Sequence, residues 1–100
     1  MIKIPRQIDI GGHTYTIEFD DSLDVDQSLW GKHSNRQLRI QIYPNLKPSN
    51  LTVCLIHELL HAIDTIYNDR KLDETVINGL SEGLNQVFKG LGIELDWNEI

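Results

Sequence analysis

His57, Glu58 and His61 stand in the order H-E-x-x-H inside an apolar run from Leu51 to Ile66. Residues four apart share one face of a helix, and at about 100° per residue His57 and His61 point within roughly 40° of each other. Two imidazoles so placed can hold one zinc ion, which accepts nitrogen ligands at about 2.0–2.1 Å. Glu58 lies one residue round the helix from His57, where its carboxylate can reach a metal-bound water rather than the metal. The chemistry that follows is hydrolysis: the metal lowers the pKa of the water and polarises a carbonyl, and Glu58 removes the water's proton. The alternative without chemistry is two core histidines satisfied by hydrogen bonds and a glutamate in a buried ion pair. Against it stands the cost of placing three such groups in a buried helix unless something pairs them.

A catalytic zinc site uses three protein ligands and leaves one position open. Glu74 and Glu82 are the candidates for the third. A straight antiparallel pair of helices would bring residues 79–83 level with His57 and His61, which favours Glu82. Helix phase favours Glu74. Measured from an apolar stripe centred near Leu80, Glu74 lies about 120° away, at the margin, whereas Glu82 lies about 200° away, on the opposite face. Glu74 then requires the helices to cross at an angle, or the turn between them to fold back over the metal. Glu74 is therefore taken as third ligand, with Glu82 as the alternative. Asp64 shares the face of His57 and His61, as an acceptor behind His61 or as a salt-bridge partner. Cys54 reads as a small core residue rather than a fourth ligand. Tyr67 and His33 are candidate donors to the developing charge; otherwise His13 and His33 read as surface polar residues.

These groups must be positioned by the elements around them. Gln7–Ile10 and His13–Phe19 flank Gly11-Gly12 and read as a hairpin, with Tyr15, Ile17 and Phe19 alternating toward one face. Residues 20–28 carry four aspartates and read as an exposed loop; their spacing does not fit a calcium-binding EF-hand. Residues 29–33 and 37–43 form a second hairpin around Ser34-Asn35-Arg36, and Pro44 and Pro48 end the sheet. The result is an antiparallel sheet of three or four strands, whose strand at 37–43 reads as a plain structural strand, with uptake of a peptide by strand addition as the alternative. Ser49 or Asn50 caps the helix that begins near Leu51 and frays near Tyr67-Asn68. A second helix starts near Leu72, with Asp73 and Glu74 in its first turn. Val76, Leu80, Leu84, Val87 and Leu91 mark its expected buried stripe, and Gly90 and Gly92 end it.

The chain has 100 residues, 40% hydrophobic and 24% charged, with a formal net charge of −6. That fits one globular domain spanning residues 1–100. The acidic balance and the lack of a basic cluster argue against nucleic acid as a partner. A single cysteine, Cys54, cannot form an internal disulfide and fits a reducing compartment. The N-terminus lacks the apolar region of a signal peptide, and the run at 51–66 is too short and too polar to span a membrane. A soluble, cytoplasmic protein with no membrane partner is expected. The sequence carries no sign of its oligomeric state.

The segment Thr52-Val-Cys-Leu-Ile-His-Glu-Leu-Leu-His-Ala-Ile-Asp64 resembles the active-site helix of small zincins. It looks most like the short H-E-L-L-H-A-x-D proteins of phages and prophages, in which an N-terminal sheet also precedes the helix. A second stretch, Glu74-Thr-Val-Ile-Asn-Gly-Leu-Ser-Glu-Gly-Leu84, is similar to the E-x-x-A-N-x-F-A pattern of zinc peptidases that cleave repressors of mobile elements, although Ile77, Leu80 and Ser81 replace its usual Ala, Phe and Ala. In that family the leading glutamate is the third ligand, which here is Glu74. Leu80-Ser-Glu-Gly83 is similar to the N-E-G segment of larger gluzincins, which would make Glu82 the ligand. The resemblance implies an α+β fold, a minimal zincin-like domain with a small antiparallel sheet followed by the HExxH helix and a second helix. It also implies a zinc-dependent metallopeptidase acting on a peptide or protein substrate, in the host cytoplasm if phage-encoded. The competing expectation is a non-catalytic module of a phage or prophage in which zinc staples the helices together.

Overall fold

The computed structural model describes residues 1–23 and 30–98. The chain runs β1 (Ile2–Lys3), β2 (Gln7–Ile10), β3 (His13–Phe19), β4 (Gly31–Ser34), β5 (Arg39–Ile42), α1 (Pro48–Tyr67), α2 (Glu74–Gly90) and β6 (Leu95–Asp96). It is a small α+β fold with a mixed sheet and two helices. Gly11 and Gly12 have φ of 60° and 81°, the positive values that a two-residue hairpin loop requires, and β2 and β3 pair antiparallel across them. The sheet order is β2-β3-β5-β4. The second hairpin, β4–β5, is antiparallel, but β5 lies parallel to β3, with Ile17 opposite Ile40 and Phe19 opposite Ile42.

The sheet is therefore mixed, which corrects the antiparallel sheet expected from the sequence. Each hairpin is internally antiparallel, but the way two hairpins join is set by which faces bury together. Ile40 and Ile42 are fully buried and Gln41, on the other face, is nearly so, donating to Asp20 Oδ2 at 2.9 Å. Such a strand belongs in the middle of a sheet. Both edges of β5 are thus occupied, as a plain structural strand requires, which rules out the alternative that this strand accepts a peptide; among the described residues the edge strand beside α1 is β4. Leu38, expected to extend the strand, has φ of 54° and sits in the turn. Of the expected aspartate loop, residues 24–28 lie outside the described residues. Ser22 donates to the Asp20 carboxylate through its hydroxyl and its backbone N–H, and these bonds hold that carboxyl below its ordinary pKa.

Pro48 starts α1 rather than ending the sheet. Its missing N–H is no loss at the first helical position, where no intrahelical acceptor exists. Lys47 accordingly holds the N-cap position without a side-chain cap, in place of the expected Ser49 or Asn50. α1 buries Leu51, Cys54, Leu55 and Ala62 against Ile10, Tyr15, Ile17, Ile40 and Ile42. The Tyr15 hydroxyl donates to Asn35 at 2.6 Å and Asn35 donates to Thr65 at 3.0 Å, tying the β4–β5 turn to α1. The tail is anchored as well: β6 pairs parallel with β1, and Trp97 stacks on Phe19 and donates to the Thr52 hydroxyl at 3.0 Å. No described helix is long and apolar enough to cross a membrane.

α2 packs chiefly on α1. Its side chain-capped start is at Asp73, which accepts from Val76 N at 2.9 Å. The residues it buries are Ile77, Ser81 and Asn85, four apart, and not the stripe expected from the sequence. Val76, Leu80, Val87 and Leu91 are 42%, 44%, 54% and 70% exposed, and Leu84 is half-buried. Among the described elements α2 rests chiefly on one neighbour, and a helix so placed covers only a narrow line. Here the line follows the small Ser81, whose hydroxyl donates to the Ile77 carbonyl at 2.7 Å and lets the two helices approach. The buried line is rotated about 100° from Leu80, which places Glu74 about 20° from Ser81 and Glu82 about 100° from it.

Candidate metal centre

α1 presents His57 and His61 one turn apart, and the start of α2 brings Glu74 over them. His57 Nε2 lies 2.7 Å from Glu74 Oε1, His61 Nε2 lies 2.9 Å from Glu74 Oε2, and the two Nε2 atoms are 3.1 Å apart. The imidazoles are mostly buried, while Glu74 is exposed on the cleft side. These three residues form a group of the composition and spacing that could hold a metal ion. The donor set fits zinc: four-coordinate zinc with ligands at about 2.0–2.1 Å separates neighbouring ligand atoms by about 3.3 Å, so the group needs to spread by only a few tenths of an ångström.

The rotation of α2 explains why Glu74 rather than Glu82 joins the histidines. The connection between the helices supports it. Asp64, almost fully buried on α1, accepts from Asn68 Nδ2 at 2.9 Å and from Leu72 N at 3.3 Å, and its carbonyl accepts from Asn68 N and Arg70 N. Asp69 and Arg70 take left-handed φ of 55° and 57° to make the reversal. Asp64 therefore fixes the turn that delivers Glu74. It fills neither of the roles expected of it, as an acceptor behind His61 or as a salt-bridge partner, among the described contacts. Glu82 lines the same cleft farther along α2, outside the metal group.

Glu58 is buried, with its Oε1 3.9 Å from His57 Nε2 and its Oε2 3.2 Å from His33 Nδ1. His33 comes from β4 and also lies flat against His61, with ring centroids 4.8 Å apart and planes 11° from parallel. It is half-buried in the site, not a surface residue; His13, by contrast, is exposed. Tyr67 is 70% exposed and does not line the cleft, so it is not placed to act as a donor. The only sequence signal for His33 was its position in the second hairpin, which says nothing about which helix residue it meets.

β4 reaches the helix because Gly31 has no side chain. A Cβ at Gly31 would overlap the Cys54 sulfur and stand 3.1 Å from Glu58 Cγ. Burial, aided by the nearby Glu58 charge, pushes the Cys54 thiol up to about 12. Cys54 lies outside the metal group and packs in the core, as expected. Around the group is a cleft of about 760 Å³, with α1 as its floor, Trp30 and β4 as one wall, and Glu74, Asn78 and Glu82 of α2 as the other. A cleft of this size takes a small molecule or a short extended segment of chain. Comparison with known proteins finds no family model that matches the chain, and no curated protein or solved structure similar to it.

Proposed function

We propose that this chain is a zinc-dependent peptidase of the zincin kind. The observation that carries the reading is the convergence of His57, His61 and Glu74 on one point of an open cleft, with the buried Glu58 carboxylate beside it. His57, His61 and Glu74 would hold the ion. Zinc in such a site supplies a water of lowered pKa and a polarised carbonyl. The chain's own residues do the rest. Glu58 accepts the proton of the attacking water and returns it to the leaving amine as the C–N bond breaks, so protons balance over the cycle. The edge of β4 offers main-chain groups to which an extended peptide can pair along the cleft wall.

The test is zinc content and hydrolysis, measured together. Wild type is expected to hold one zinc per chain, Glu74→Ala to lose it, and Glu82→Ala to keep it. Glu58→Gln is expected to keep zinc and lose about 10²–10⁴-fold in peptide hydrolysis. A wild type that takes up no zinc, or a Glu58→Gln variant as fast as wild type, overturns the reading. A second reading is supported by the packing of α2 on α1 alone: zinc joining the two helices as a structural staple. It predicts that zinc removal melts α2 and that no peptide is cut.

A further inference from the structure

We infer that His33 is a positioning residue for Glu58, holding one carboxylate oxygen so that the other faces the metal group. The two oxygens of Glu58 have different neighbours. Oε2 meets His33 Nδ1 at 3.2 Å, and Oε1 lies on the side of His57 Nε2, at 3.9 Å. A carboxylate in its ionised form only accepts hydrogen bonds, so the proposed contact requires the proton on His33 Nδ1. The imidazole is itself held from two sides. Its backbone belongs to β4, and its ring lies against the ring of His61.

The neighbouring glycine shows why this arrangement exists. Gly31 and His33 are two residues apart on β4 and so project to the same face of the strand. Gly31 lets the strand approach Cys54 and Glu58 closely, and His33 then spans the remaining gap. Without His33, Oε2 would lose its hydrogen-bond partner among the described residues, and the carboxylate could rotate to bring either oxygen toward the histidines. His33 is not itself one of the convergent ligands; it touches both Glu58 and the ligand candidate His61, so zinc content in the test separates an effect through Glu58 from one through His61. Its consequence for rate rests on the hydrolytic reading above; the contact itself does not.

The experiment is therefore run on the zinc-loaded full chain with two readouts. Nitrogen-15 NMR of the imidazoles is expected to show His33 as the Nδ1–H tautomer. That signal should be lost in Glu58→Ala, or in Glu58→Leu, which keeps the volume if the alanine variant does not fold. An Nε2–H tautomer in the wild type that neither variant changes overturns the inference. In the second readout, on a fluorogenic peptide cut by the wild type, His33→Ala is expected to lower kcat about 10–100-fold with KM and zinc content unchanged. His33→Asn, which keeps an N–H donor near the Nδ1 position, should recover part of the rate. An unchanged kcat in His33→Ala, or a loss of zinc not restored by His33→Asn, also overturns it. If the zinc-loaded wild type cuts nothing while the tautomer responds to Glu58, hydrolysis fails and the positioning contact stands.

Discussion

Substituting Gly31 by alanine tests the close approach of β4 to α1. Gly31 does not have a positive φ, so alanine fits its backbone. In an open strand the change would stabilise the protein by about 0.4–1 kcal/mol, because it narrows the unfolded ensemble. Here the new methyl would overlap the Cys54 sulfur, press on Glu58 Cγ at 3.1 Å and lie 3.3 Å from the Gln41 carbonyl. Overpacking of this kind costs about 1–3 kcal/mol, so the net expectation is destabilisation by about 1–2 kcal/mol. For a domain of this size that lowers Tm by about 4–8 °C per kcal/mol. Urea and thermal unfolding followed by circular dichroism would measure it. The cause can be isolated with Cys54→Ala, which removes the obstructing sulfur. In the double variant the methyl has somewhere to go, and the cycle should show a favourable coupling of about 1–2 kcal/mol. A Gly31→Ala protein more stable than wild type, or two changes that add independently, would refute the packing argument.

Two further outcomes follow from burial. Ile77→Ala, at a fully buried position, should cost about 2–5 kcal/mol, whereas Leu80→Ala, at a position 44% exposed, should stay within about 0.5 kcal/mol; urea unfolding of both variants decides whether the buried line of α2 runs through Ile77. The Cys54 thiol, raised to about 12 from 9.0, should resist alkylation in the folded protein at pH 8 and react once unfolded. Because its folded pKa is the higher one, its contribution to stability is complete below pH 9 and is lost as pH rises toward 12, which unfolding measured between pH 8 and 11 would show.

Legibility in the sequence followed the range of the interactions. The α1 helix, the shared face of His57 and His61 and the helix end near Tyr67 are local consequences of spacing, and they appear where expected. So does the first hairpin, because Gly11-Gly12 encodes the turn; α2 starts two residues later than expected, at Glu74, with Asp73 as its cap rather than inside its first turn. The parallel pairing of β3 with β5 was not legible, since it depends on which hairpin faces are buried together. The face of α2 was misread for a related reason. Apolar periodicity marks what a helix can bury, and packed chiefly on α1 among the described elements, α2 buries a line set by Ser81 instead. His33 reaches Glu58 across 25 positions of sequence, and only the packing of β4 on α1 reveals the contact. Trp97 likewise had no sequence partner until β6 paired with β1.

The layered order of the molecule has a kinetic consequence. The sheet and α1 share one core, whereas α2 leans on α1 and is tethered by the reversal that Asp64 holds. Amide exchange should therefore be hierarchical, with α2 opening as a unit at lower free energy than the β3–β5 ladder. Glu74 opens with it, so the ligand group comes apart whenever that helix lifts. Any ion bound by all three residues must then slow the lifting of α2 in proportion to its occupancy. Release of the ion would be gated by the excursion of a helix rather than by exchange at the ligands.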